Sequence, residues 1–368
     1  MRNKIYILIL FTTWFVYSCA STNPCPENPA IGNLGSVINT GKDDYLPVVF
    51  ENKLYFTSIR PDSKGKEEIY TSQYINGSFT PPVLDTTLPL SKEKNTASPS
   101  FYYNPQTGRK EMYFAGVAKD SKTGNRDIFV SYYKKGVWTK PEALSDSINT
   151  EYYESHPCIA PDGSYLLFSS DRPGGIGQID LYISWRKPDN SWSKAENLGA
   201  HINTPFSEIA PYVSSDGSLY FASKGYQKKT GLDIIKAVQV KKGQWSNPKI
   251  LPFPINTEFD ESGPSIIKDK LVLASNRKNG CGGWDIYAFQ LCGPVVLDGK
   301  ISSKSDGLPL KGKVEIFNSD NEKIQEKPVD ESGKFSLNMT ANDKLHLKYT
   351  NPCIPDLVAE QDVESPCS

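Results

Sequence analysis

The tripeptide Ile-Asn-Thr occurs at 38–40, 148–150, 202–204 and 255–257, and Lys94-Asn95-Thr96 fills the one gap. Asn39, Asn95, Asn149, Asn203 and Asn256 therefore recur at spacings of 56, 54, 54 and 53 residues. A period of this size makes the chain a repeat architecture before any other feature is considered. Each Asn is followed by a proline (Pro47, Pro99, Pro157, Pro211, Pro264) and then by an apolar strand ending Tyr55-Phe56, Tyr113-Phe114, Leu167-Phe168, Tyr220-Phe221 or Val272-Leu273. A third element recurs as Glu68-Ile69-Tyr70, Asp127-Ile128-Phe129, Asp180-Leu181-Tyr182, Asp233-Ile234-Ile235 and Asp285-Ile286-Tyr287. The fourth runs from an aromatic to a leucine: Phe79 to Leu84, Trp138 to Leu144, Trp192 to Leu198 and Trp245 to Leu251.

The fifth copy never reaches its fourth element. Its counterpart lies at the other end of the chain, where Pro29-Ala30-Ile31-Gly32-Asn33-Leu34 aligns with the run that ends at Leu198. Four strands per repeat at this period predict an all-β, five-bladed β-propeller closed by an N-terminal strand in the last blade. Composition agrees: 27 Gly, 27 Pro and 11% aromatic residues favour short strands between turns. With 41 Lys+Arg against 42 Asp+Glu, the balance excludes a nucleic-acid partner, and three His argue against a multi-histidine metal centre. Nothing in the residues calls for a cofactor.

The segment Ala160-Pro161-Asp162-Gly163-Ser164-Tyr165-Leu166-Leu167-Phe168-Ser169-Ser170-Asp171-Arg172-Pro173, with Asp180-Leu181-Tyr182 after it, resembles the TolB-like, WD-type propeller repeat of bacterial envelope proteins. The resemblance covers residues 30 to 290. From Val295 the pattern shifts to alternating apolar residues between Gly and Asp turns, as in Val314-Glu315-Ile316-Phe317 and Lys334-Phe335-Ser336-Leu337. These predict a small β-sandwich, which resembles the carboxypeptidase-regulatory or transthyretin-like domain.

Arg2 and Lys4, the apolar run from Ile5 to Val16 and the small residues Ser18 to Ser21 read as an export signal, too short to span about 30 Å of hydrocarbon. Val16-Tyr17-Ser18-Cys19 resembles the lipobox of bacterial lipoproteins, which makes Cys19 the lipidated first residue of the mature chain. No Asp follows Ala20, so the resemblance implies the outer membrane; the periplasmic face is the expectation, with the outer surface as the alternative. The expected division is a signal peptide at 1–18, a lipidated tether at 19–28, the propeller at 29–291 and the sandwich with its tail at 292–368.

Six cysteines remain, 25, 158, 281, 292, 353 and 367, which suits an oxidising compartment. Cys281 and Cys292 flank a strand about 20 Å long, too far for a bridge. If the segment before Leu34 runs antiparallel to Asp285–Gln290, Cys25 meets Cys292, and their bridge would staple the ring. Cys353 with Cys367 is a second candidate pair; free buried thiols are the other reading.

Three residues before the repeat proline stand Asp44, Glu154, Glu208 and Glu261, with Thr96 in the second copy. Such a ring near the axis offers a cation or partner site at the channel mouth. Arg60, Arg172 and Arg277 recur four residues after the second-strand aromatic in three of these copies, with Lys224 one position earlier in the fourth. The second copy lacks the acid and has Ala118 in place of the base, so acid and base are lost together, which points to an ion pair within each blade. Tyr45, Tyr152, Tyr153, Phe206 and Phe259 gather before the first strands, where they either pack between blades or meet a partner or sugar. His156 beside Glu154 reads as a packing residue.

No pair of carboxylates stands apart from the repeat, so the expectation is a protein that is not an enzyme. It is expected to be a lipid-anchored outer-membrane scaffold docking to other envelope proteins. The alternatives are a glycan-binding or glycoside-cleaving propeller, and a calcium-stabilised structural protein using the acidic ring.

Overall fold

A computed structural model describes residues 25–26, 30–60, 67–89, 97–105, 107–117, 125–227, 231–291, 295–303, 305–318, 321–339, 344–351 and 354–364. Strands dominate it, with one turn of helix at Gly35–Ile38. Cys19, Cys292, Cys353, Cys367, Thr96 and Ala118 lie outside the described residues.

Five antiparallel sheets follow one another in the described chain. Blade 1 begins with Asp44–Phe50, Lys53–Ser58 and Glu68–Ile75; blade 2 with Ala97–Asn104, Arg109–Val117 and Arg126–Lys134. Blade 3 uses Glu154–Ile159, Tyr165–Ser170 and Asp180–Trp185; blade 4 Glu208–Val213, Leu219–Ser223 and Asp233–Ala237; blade 5 Glu261–Ile267, Lys270–Ser275 and Asp285–Gln290. The second strands of blades 3 and 4 are buried throughout, because both faces of the sheet pack on neighbouring blades. That is why they read as continuous apolar runs rather than alternating ones. Phe221 and Leu219 of blade 4 share a core with Leu167 and Leu181 of blade 3. Phe56 and Tyr70 of blade 1 share another with Val272 and Ile286 of blade 5. The inner strands touch in order around the ring, the fifth against the first. The chain is a β-propeller.

Closure occurs at Asn33-Leu34. Asn33 pairs with Tyr287, and Leu34 N–H donates to Ile286 O. In blade 3, Asn197 pairs with Tyr182 and Leu198 N–H donates to Leu181 O. The side chains match as well: Asn33 Nδ2 donates to Asp285, as Asn197 Nδ2 does to Asp180.

The bridge that ties this segment down is Cys25–Cys281, which corrects the expected Cys25–Cys292 pair. The expectation continued the strand straight back from Leu34. Instead, Asn33 N–H donates to Ala30 O across a turn with Gly32 at φ +84°, and Ala30 N–H reaches Asn279 O. Any side chain at 32 would also strike Phe289, whose Cε1 lies 2.6 Å from an ideal Cβ. The turn carries Cys25 to the loop before Asp285, at the opposite end of that strand from Gln290.

Beyond the propeller, Val295–Lys300 pairs with Lys334–Met339. A second sheet runs in the order Lys323–Val329, Gly312–Phe317, Lys344–Asn351, Ile354–Glu364. Val314, Ile316, Leu345, Leu347 and Tyr349 of the second sheet bury themselves with Phe335 and Leu337 of the first.

Candidate functional site

The recurring carboxylates are sealed inside the blades. Glu154, Glu208, Glu261 and Asp44 are all 0% exposed, each cradled by the Thr of its Ile-Asn-Thr and the Ser that ends the second strand. Thr150 N–H and Oγ1 donate to Glu154 at 2.8 and 2.7 Å, and Ser170 Oγ at 2.9 Å. Arg172 Nη2 completes that cage at 3.1 Å from Glu154, and Arg277 Nη2 stands 3.1 Å from Glu261. Asp44 is one methylene shorter, which leaves its Oδ1 at 3.6 Å from Arg60 Nη2. Each guanidinium also lies over two neighbouring rings: Arg60 over Phe56 and Tyr70, Arg172 over Phe168 and Tyr182, Arg277 over Tyr287 and Phe289. Every acid is thus committed within its own blade, which removes the ring from consideration as a shared cation site.

Blade 4 breaks the pattern. Lys224 is exposed and forms no ion pair with Glu208 among the described interactions, contrary to the sequence expectation. Gly225 N–H donates to Ser223 Oγ as Arg172 N–H does to Ser170, so Gly225 occupies the arginine's place. Tyr226 supplies the lost contact by donating its hydroxyl to Ile202 O, as Arg172 does to Ile148 O. Burial, with Asp180 nearby, holds the Glu208 carboxyl above its ordinary range, against the lowering bonds from Ser223 and Thr204. Burial likewise raises Asp44.

The Asn of each described motif has a job that spacing alone did not reveal. Asn203 Oδ1 accepts from Leu181 N–H while its Nδ2 donates to Leu181 O, so one side chain imitates a strand against the previous blade. Asn39 does the same to Ile286, Asn149 to Ile128 and Asn256 to Ile234. The repeated Asp180 accepts Gly177 N–H and Asn197 Nδ2, holding the loop before it.

The axis is nearly closed. All five repeat prolines line a central cavity of about 50 Å³, room for a water or two. A register shift before each proline turns the inner strand there. Leu46, His156 and Ala210 accept left-handed φ near +50° at this bend, and Gly263 sits at +64°. His156 Nδ1 is shut off from water without a hydrogen-bond partner. Burial, with Arg126 adding repulsion, pushes its imidazole down to about 4, so it is neutral near pH 7.

The open site lies between blades 4 and 5. A groove of about 680 Å³ is lined by Ile31, Gln227, Phe253, Glu258, Phe259 and Lys278, among others, a size that suits a small ligand or part of a longer one. Phe253 is 69% exposed, and Lys278 Nζ stands 5.8 Å from the Phe259 ring centroid. The N-terminal closing segment forms one wall and the Leu251-to-Glu261 connection another. Of the aromatics singled out in the sequence, Phe259 enters this groove, Phe206 is 51% exposed, and Tyr45, Tyr152 and Tyr153 are half-buried. Tyr45 is raised by burial and by its bond to Glu67. Phe253 was missed, although its signal is present: the spacer between leucine and Ile-Asn-Thr reads Gly-Ala-His after Leu198 but Pro-Phe-Pro after Leu251.

No family model matches the sequence, and no curated protein matches it. Solved propellers are similar in fold. An α-L-arabinofuranosidase from Lactobacillus brevis matches 70% of this chain and 92% of its own at 14% identity and a TM-score of 0.46. The GH43 endo-arabinanase from Bacillus licheniformis matches 69% and 96% at 14% identity and 0.45. TolB from Acinetobacter baumannii matches 69% of this chain and 56% of its own at 14% identity and 0.39. Likeness at this level shows the propeller fold alone. Glycosidases occur repeatedly among the matching propellers, and the expectation that the chain is not an enzyme is withdrawn.

Proposed function

We propose that this chain is a glycan-active propeller that holds a saccharide in the groove between blades 4 and 5. The observation that carries the reading is the groove itself, where Phe253 and Phe259 present aromatic surface beside Gln227, Glu258 and Lys278. Aromatic rings cover the apolar faces of a sugar at small entropic cost, and amide, carboxylate and ammonium groups meet its hydroxyls. Hydrolysis of a glycoside employs two carboxyl groups about 5 to 10 Å apart; the ring acids are sealed, and the groove lining contributes Glu258. Binding is therefore the property to measure first, with release of reducing ends followed in the same samples and in Glu258→Gln. The scaffold reading gains no comparable surface and gives way to this one.

A lipid on Cys19 would hold the groove at the outer membrane on its periplasmic side; the support is the Val16-to-Cys19 stretch. Cys19→Ser should then move the protein into the soluble fraction.

The test is a polysaccharide array probed with the labelled full-length chain in detergent. Retention on at least one polysaccharide, lost in Phe253→Ala and Phe259→Ala at unchanged Tm, is expected. An array with no retained polysaccharide, or equal retention of both variants, overturns the reading.

A further inference from the structure

We infer that the saccharide is an extended chain crossing blades 5, 4 and 3, rather than a single terminal sugar; this deepens the glycan reading of the groove and rests on it. Two places before each sealed acid stand Lys42, Tyr152, Phe206 and Phe259. In all four the backbone N–H donates to the Thr Oγ1 of the same repeat at 3.2 Å. The carbonyl side is held too. A Cβ added to Gly177 would lie 2.1 Å from Phe206 O, one on Gly231 2.6 Å from Phe259 O, and one on Gly282 1.9 Å from Lys42 O. Glycines of the preceding blade therefore press against this carbonyl, and Gln178 N–H donates to Phe206 O.

At the described seams the backbone of this position is thus held at the amide in all four copies and at the carbonyl as well for Lys42, Phe206 and Phe259, while the side chain differs from blade to blade. Blades 3, 4 and 5 place Tyr152, Phe206 and Phe259 there, and blade 1 places Lys42. Phe259 already lines the groove, so the equivalent aromatics continue from it around the same face. Sheets packed face to face stand about 10 Å apart, wider than one pyranose ring, so a ligand touching two of these positions has several sugars. Rings whose backbone is clamped lose little freedom on binding, which favours this arrangement over flexible side chains.

The test uses the disaccharide, tetrasaccharide and octasaccharide of the polysaccharide that the array retains most strongly, titrated by calorimetry against the full-length chain in detergent. The octasaccharide should bind about tenfold tighter than the disaccharide, from one or two additional ring contacts. Phe206→Ala and Tyr152→Ala should remove that gain while leaving disaccharide affinity unchanged. Phe259→Ala should weaken every length. Affinity that is flat with length, or a length dependence that survives both Phe206→Ala and Tyr152→Ala, overturns the extended-chain inference while leaving the groove in place. Failure of every length and of the parent polysaccharide to bind overturns the glycan reading, and this inference with it.

Discussion

At the residue scale the repeat is held by charges removed from water, which makes each partner costly to lose. Arg277 bonds Glu261, Pro254 O and Ile255 O and lies 4.5 Å from the Tyr287 ring centroid. Arg277→Met leaves Glu261 buried without its cation and should cost about 3–5 kcal/mol in chemical denaturation. Tyr226→Phe removes one neutral bond from the blade that never had the arginine and should cost about 1 kcal/mol. Equal losses in the two variants would show that the ion pair contributes nothing beyond an ordinary hydrogen bond. Glu208 gives a pH signature. Its carboxyl is raised in the folded state, so the native protein binds a proton there more readily than the unfolded chain, and this group's contribution to stability grows as pH falls. The wild type should therefore gain stability relative to Glu208→Gln between neutrality and about pH 4. A gap between the two that stays constant over that range would reject the assignment.

At the scale of the element, the Ile-Asn-Thr tripeptide is a three-part joint. Ile202 is buried, Asn203 pairs with the backbone of blade 3, and Thr204 cradles Glu208 of blade 4. Asn203→Ala strips both backbone groups of Leu181 of this partner in a buried seam. It should cost about 3 kcal/mol and speed hydrogen exchange of the Leu181 amide selectively. Unchanged exchange there would mean that packing alone holds the seam. The joint was legible as a period, because a residue needed by every blade must recur. Its role was not legible, because the partner backbone lies 22 residues away in sequence. Tyr226 shows the same limit. Blade 4 lost both the arginine and the third-strand tyrosine, with Ile235 in its place, and a loop residue outside the aligned pattern filled the space.

At the scale of the whole molecule, closure depends on two short stretches that meet across nearly the entire propeller. The disulfide joins residues separated by 256 positions, so its loss frees a large loop in the unfolded chain. In the chain-entropy account Cys281→Ser should lower stability by up to about 5 kcal/mol, whereas Cys292→Ser leaves this bridge in place. Non-reducing peptide mapping that recovers Cys25 joined to Cys292 would reverse both expectations. The same closing segment supplies Ile31 to the groove wall, so the site exists only in the completed ring.

The amino-acid sequence alone determined the period, the all-β character, the closing role of Asn33-Leu34 and the acid–base pairs at Arg60, Arg172 and Arg277. Each is a property of positions that repeat, and repetition survives in one dimension. Tertiary structure decided what differs from blade to blade: the turn at Gly32 that sends Cys25 to Cys281, the tyrosine standing in for an arginine, and the groove around Phe253. Those depend on a chain reversal or on neighbours drawn from three separate segments, and distances between segments are set by packing, which no spacing in the sequence encodes.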